Sequence, residues 1–190
     1  FTIGDVSGKA VPAALMMAIT KTLIKTSASK NISPADIMTE VNNAISTDNP
    51  HSMFVTLFIG ILDLKTGIVT YANGGHNPAI HVAGTKAPFF VRELSGPVVG
   101  IMDKISYKEL RLTLAPGDAL FLYTDGVTEA MNTSKVFYSE KTLLEQIAAH
   151  APAPCETVIK RIKEDLTFFA GSEPQYDDIA MLMIHYKGTQ

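Results

Sequence analysis

"MFVTLFIGILDLKTGIVTYANGG", residues 53–75, decides the fold. Two runs rich in β-branched and aromatic residues flank Lys65-Thr66-Gly67, the composition of a hairpin turn between two strands. Upstream, the period is helical. From Val11 to Ser29 apolar residues recur at Leu15, Ile19, Leu23 and Ile24, with Pro12 tolerated in the first turn. In "SPADIMTEVNNAIS", Ser33 caps a second helix, Pro34 opens it, and Ile37, Val41 and Ile45 form one face. Downstream, strands are expected at "AIHV", "FFVREL", "YKELRLTL" and "DALFLYTD", the last entered through the turn Ala115-Pro116-Gly117-Asp118. Helices "EKTLLEQIAAH" and "PCETVIKRIKEDLTFFA" then precede a final strand, "IAMLMIHY". Antiparallel runs with helices grouped in pairs make an α+β layered sandwich, and no linker or repeat divides the chain.

Composition narrows the function classes. At 190 residues the chain suits one domain with a substantial core, and 46% hydrophobic against 18% charged residues makes it globular rather than disordered. A net charge of −3 without a Lys/Arg block excludes the electrostatic footprint of a nucleic-acid binder. The single cysteine, Cys155, excludes an internal disulfide and fits a reducing cytoplasm; at a helix start it reads as a small, partly buried thiol. No apolar run approaches the roughly 20 residues that span a bilayer, and no signal peptide is visible. Phe1 sits in strand-like sequence, so the chain is expected to begin inside a domain.

The acids are placed with a pattern. Asp5 ends one apolar strand, Asp125 ends another in "LFLYTDGVTEA", and Asp177 and Asp178 open a third in "QYDDIAMLMIHY". A carboxylate at the rim of a hydrophobic strand demands a cation, donors or solvent. Brought to one end of a sheet, such acids would form an oxygen-rich pocket for a hard divalent metal. Taken singly, each is also an ordinary turn residue.

"GDVSGKAVPAALMMA", "MFVTLFIGILD", "YANGGHNPAI", "LAPGDALFLYTDGVTEAMN" and "DDIAMLMI" occur in the order and wording of the SpoIIE/RsbU-type protein serine/threonine phosphatases. These belong to the metal-dependent PPM superfamily, related to type 2C phosphatases, and the chain resembles them from Ile3 to about Ile184. The resemblance implies a four-layer α-β-β-α sandwich with mainly antiparallel sheets. It also implies two Mn²⁺ or Mg²⁺ ions. Asp5 matches the bridging aspartate and the Val6 carbonyl the adjacent main-chain ligand; Asp125 and Asp177 match the aspartates that complete one site, with Asp178 beside them. Asp5, Asp125 and Asp177 are then the catalytic set, and Ser7, Gly8 and Lys9 the phosphate-facing stretch, Lys9 being equally readable as a solvated surface lysine.

The same resemblance implies a partner and a setting. Proteins of this type act on a phosphorylated STAS-domain anti-sigma-factor antagonist, behind an upstream sensor or receiver module, and a homodimer through the first two helices is one expectation. The alternative is a degenerate domain of the same fold that binds a partner without chemistry. Relatives carry an upstream strand bearing "GGD" and a further acid that this sequence lacks, so the N-terminal strand is expected to be missing and the second metal site weak. Ala10 stands where relatives usually have Gly, and Ala180 where they often have Thr.

Other residues read as structural. His76, in "NGGHNP", is a turn histidine bonded to backbone rather than a general acid. Thr128 and Glu129 begin a local helix and its cap. Methionines 16, 17, 181 and 183 follow core periodicity.

Overall fold

A computed structural model of the chain describes every residue except Asp48, Pro50, Thr85, Pro152 and Gln190. The elements run β1 (Thr2–Val6), α1 (Ala10–Ala28), α2 (Pro34–Ser46), β2 (Val55–Leu62), β3 (Ile68–Gly74), β4 (Ala79–Val82), β5 (Phe89–Val91), β6 (Leu110–Thr113), β7 (Ala119–Tyr123), α3 (Asp125–Thr128), α4 (Ser139–His150), α5 (Cys155–Ala170) and β8 (Met181–His185). They form two compact units interleaved along the chain, each an antiparallel sheet with helices on it. The α+β class with antiparallel sheets is the one expected.

The first unit comprises residues 1–63, 68–76 and 93–113, with strand order β1-β2-β3-β6. The hairpin forms as read: β2 and β3 pair from Leu57↔Gly74 to Leu62↔Val69. Alternation sends Val55, Leu57 and Ile59 to one face, where they bury against Ile37, Met38, Val41 and Ile45 of α2. Phe58 and Tyr71 stack on the other face, ring centroids 5.1 Å apart. The α2 start is built as its sequence demands: Ser33 Oγ accepts the Asp36 N–H at 3.1 Å, and Pro34 occupies the first turn.

The second unit comprises residues 64–67, 77–92 and 114–190, with strand order β5-β4-β7-β8. Every residue of β7 is buried. Phe121 and Tyr123 pack with Leu143 and Ile147 of α4 and Val158, Ile162 and Leu166 of α5. These helices carry apolar residues at intervals of three and four, so one stripe of each meets the sheet.

Four expectations are corrected. Leu15 and Ile19 are 60% and 53% exposed; α1 instead turns Ala13, Met16, Leu23 and Ile24 toward the core, because the helix is apolar on most sides and its periodicity does not single out one face. Met17 is likewise exposed, whereas Met16, Met181 and Met183 pack on the cores. Thr128 and Glu129 end a helix rather than begin one: α3 opens at Asp125, and Glu129 caps its C-terminus by donating its N–H to the Asp125 carbonyl at 2.8 Å. The strands expected at residues 89–94 and 107–114 are shorter than their apolar runs, covering 89–91 and 110–113. Among the described residues no helix is long and apolar enough to cross a membrane.

Candidate metal centre

In the second unit Asp125 sits where β7 gives way to α3, and Asp177 lies just before β8, the strand that pairs with β7 from Tyr123↔Met181 onward. Thr124 ties these two chain segments together. Its N–H donates to the Ala180 carbonyl at 3.1 Å, and its hydroxyl donates to the Asp178 carbonyl at 2.8 Å while accepting the Ala180 N–H at 2.9 Å. Gly126 closes the gap between them. A Cβ there would stand 2.5 Å from the Asp178 carbonyl oxygen and 3.3 Å from the Asp177 carbonyl carbon, so only glycine admits this approach.

The acids in this cradle are electrostatically frustrated. Asp125 is half-buried, and its Oδ1 is inaccessible to solvent without a hydrogen-bond partner. An anionic oxygen kept from water without a donor is costly unless a cation meets it. Glu129 shares the region: desolvation first, then the charges of Asp125 and Asp177, push its carboxyl above the usual carboxylate range. Asp177 Oδ1 accepts the Asp178 N–H at 3.0 Å, and the Asp177 carbonyl accepts from Gln175 Nε2 at 2.8 Å. Asp178 is exposed and enters this scheme through its backbone rather than its carboxylate. The orphaned oxygen, the glycine-only approach and the all-oxygen donor set fit a hard divalent cation. Among the described residues no three acidic, imidazole or thiol side chains close into a ready-made cage.

Asp5 and Val6 belong to the first unit. Asp5 is half-buried on β1 opposite Thr56, whose hydroxyl approaches the Asp5 carbonyl at 3.5 Å and His76 Nδ1 at 2.9 Å. His76 is 3% exposed and locked to Asn73, donating its N–H to Oδ1 at 2.8 Å and accepting from Nδ2 at 3.1 Å, as a turn histidine does. Val6 is buried and pairs with Val55. Ser7 is engaged twice with Phe54: its N–H donates to the Phe54 carbonyl and its Oγ accepts the Phe54 N–H, both at 2.8 Å. Gly8 and Lys9 are exposed, Gly8 at φ +86° and Lys9 as the residue before α1.

Sequence reasoning passed over Thr124 and Gly126, and read Glu129 only as part of a local helix and its cap. Thr124 and Gly126 flank Asp125 in "YTDGVTE", but the roles of both depend on a backbone more than 50 residues away. Glu129 carried a signal, an acid four residues after Asp125 on the far end of a single helical turn.

A family model described as Stage II sporulation protein E (SpoIIE) matches residues 1–187. The phosphoserine phosphatase RsbU of Bacillus subtilis (strain 168) is 29% identical over 97% of this chain and 55% of its own length. The chain spans between about a third and about half of the curated relatives it matches. Among solved structures, the SiaA-PP2C domain of Pseudomonas aeruginosa has the same fold, with a TM-score of 0.84 at 20% identity over 97% of this chain and 74% of that one. The catalytic domain of the serine threonine protein phosphatase PstP, solved with two manganese ions, superposes with a TM-score of 0.63 at 11% identity, covering 96% of this chain and 84% of its own.

Proposed function

Because this chain belongs to the SpoIIE family, we propose that it is a metal-dependent protein phosphatase acting on phosphoserine or phosphothreonine. The observation that carries the reading is the solvent-inaccessible, unpartnered Oδ1 of Asp125, in a cradle that Thr124 and Gly126 build against the segment bearing Asp177. In the second unit Asp125 and Asp177, with Asp178 beside them, are the residues proposed to hold Mn²⁺ or Mg²⁺; in the first unit the residues proposed as ligands are Asp5 and the Val6 carbonyl. Bound there, a pair of such ions would acidify a water and offset the charge gathering on the phosphoryl oxygens.

The chain's own residues do the positioning. Thr124 and Gly126 keep Asp125 next to the Asp177 backbone, so the carboxylates are arranged before a cation arrives. The two Ser7 bonds to Phe54 hold the turn after β1, which leaves Gly8 and Lys9 to meet the phosphate with a backbone amide and an ammonium. Ser7 Oγ accepts at Phe54 and keeps its own proton to donate, so Ser7 both shapes this turn and stays in the proposed phosphate-facing stretch with Gly8 and Lys9. His76, whose backbone is tied to Asn73 and whose ring Nδ1 meets the Thr56 hydroxyl, is given no acid–base role. The substrate proposed is a phosphorylated STAS-domain anti-sigma-factor antagonist, with a sensor or receiver module of a longer protein setting the activity.

The test is phosphate release from p-nitrophenyl phosphate and from a phosphorylated STAS protein, with and without Mn²⁺, for the wild type and Asp125→Asn. Release that needs Mn²⁺ and falls at least about a hundredfold in the variant is the expected result. Metal-independent release, or an active Asp125→Asn, would overturn the reading. No release from any phosphoprotein would favour a binding domain without chemistry.

A further inference from the structure

A short hairpin follows α3. Asn132 donates its N–H to the Val136 carbonyl at 3.0 Å, Lys135 donates its N–H to the Asn132 carbonyl at 2.8 Å, and an isolated bridge joins Met131 to Phe137. Asn132 Oδ1 fastens the turn by accepting the N–H groups of Ser134 and Val136 at 3.0 and 3.1 Å. Hairpins of this kind end their turn on a left-handed residue, where glycine is favoured. Here that residue is Lys135, at φ +61°. A side chain held in a strained backbone region points to a use for that side chain.

The use is visible at its tip. Lys135 Nζ lies 2.6 Å from Glu173 Oε2, 3.4 Å from the Tyr176 hydroxyl and 5.7 Å from the centre of the Tyr176 ring. The Tyr176 hydroxyl completes the triangle by donating to Glu173 Oε2 at 3.2 Å. Glu173 keeps 16% of its side chain exposed and Lys135 keeps 59%, so the pair is shielded on the carboxylate side only and holds by its geometry rather than by burial. The hydrogen bond to Glu173 raises the Lys135 ammonium above its ordinary range, and the same bond lowers the Glu173 carboxyl. Glu173 and Tyr176 lie in the irregular stretch between α5 and β8 that also carries Asp177, and the Gln175 side chain bonds the Asp177 carbonyl within it.

We propose that Lys135 is a positioning residue, clamping the segment from Glu173 to Asp177 onto the 131–137 hairpin and so fixing where the Asp177 carboxylate stands. The segment has no ladder of its own, and the clamp supplies cross-links that regular structure would otherwise provide. Both anchored pieces directly adjoin the acid-bearing elements: the hairpin follows α3, which opens with Asp125, and the clamped stretch carries Asp177. The effect of the clamp on cation affinity rests on the phosphatase reading; the clamp itself does not.

Amide hydrogen exchange of the metal-free chain, followed by mass spectrometry, tests it with Lys135→Met, Lys135→Gly and Glu173→Gln. Peptides covering residues 171–178 are expected to exchange about fivefold faster in all three variants, with β7 and β8 unchanged. Lys135→Gly separates the clamp from a merely structural hairpin. Glycine relaxes the turn, so a structural role predicts an equal or higher Tm and unaltered exchange at 171–178, whereas the clamp predicts faster exchange there despite that Tm. Unchanged exchange in Lys135→Met and Lys135→Gly would overturn the proposal. In a second arm, Mn²⁺ calorimetry on Lys135→Met is expected to show affinity about fivefold weaker, with Asp125→Asn as the non-binding reference. Equal affinity in wild type and Lys135→Met would refute control of Asp177 by the clamp. A wild type that takes up no Mn²⁺ would sink the phosphatase reading, and the exchange data would then decide the clamp alone.

Discussion

Strand β7 has an aspartate just outside each end, and the two are used in opposite ways. Asp118, before the strand, is saturated: Oδ1 accepts the Gly84 N–H at 3.0 Å, and Oδ2 accepts the Ala115 N–H at 3.0 Å and meets His81 Nε2 at 2.9 Å. Asp125, after it, leaves Oδ1 out of solvent with nothing donating to it. Both stand next to glycine, in "PGDA" and "TDGV", at the border of the same buried run. A carboxylate that has its donors belongs to the fold, and one denied them is held for something else.

Removing each acid in metal-free buffer should therefore move stability in different directions. Asp118→Ala strands the Gly84 and Ala115 amides and the His81 ring at a site 8% exposed, and is expected to cost about 2–3 kcal/mol in urea melts. Asp125→Asn removes a charge that repels Glu129, so its melt is expected to coincide with the wild type or lie above it. If Asp125→Asn destabilises as much as Asp118→Ala, the distinction between the two acids collapses. The pH dependence has a definite sign. Burial opposes ionisation of Asp118, but the Gly84 amide, His81 and the Ala115 amide outweigh it and hold the carboxyl below its ordinary value. A depressed folded value means that the contribution is complete above the unfolded pKa of about 4 and is lost as pH falls through the folded one. The stability gap between wild type and Asp118→Ala should close in that acid range and stay constant above it.

A smaller effect is expected at Thr124, which joins the Asp125 end of β7 to the strand that follows Asp177. Thr124→Val keeps the shape, removes one hydroxyl from a site 2% exposed, and leaves the Ala180 N–H and Asp178 carbonyl without that partner. About 1–2 kcal/mol should be lost in the same melts, and Thr124→Ser should recover most of it. A harmless Thr124→Val would mean that the cradle is held by the ladder between β7 and β8 alone.

The comparison also marks what the sequence could show. The hairpin at residues 65–67, the α2 boundaries and the apolar stripes of α4 and α5 depend on local period and capping, and all were legible. Asp118 was legible as a turn residue and Asp125 as a rim acid, but the physical difference between them was not, because the donors that settle Asp118 include Gly84, 34 residues away, and what singles out Asp125 is a donor that never arrives. Thr124 looks like any polar residue at a strand end until the Asp178 carbonyl is beside it. The exposed side of α1 was hidden for another reason: Leu15 and Ile19 are as apolar as Leu23 and Ile24, so composition cannot say which of them faces inward. Asp5 and Asp177 were legible as rim acids, while the Lys135 clamp beside Asp177 joins residues 38 apart and leaves no local pattern.

The turn after Asp5 offers the mildest test and a third kind of behaviour, set by backbone dihedrals rather than by donors. Gly8 and Ala10 both have φ in the left-handed region, +86° and +63°, and a Cβ on Gly8 would meet nothing within 4 Å. Gly8→Ala should then cost about 1 kcal/mol through the backbone alone. Ala10 already carries that strain, and Ala10→Gly should return up to about 1 kcal/mol, less whatever the freer unfolded chain takes back. Opposite signs from two substitutions two residues apart would show that the Asp5 turn is governed by conformation. If Ala10→Gly instead destabilises by more than about 1 kcal/mol, the methyl group is packing against something, and this turn belongs with Asp118 among the features the fold itself uses.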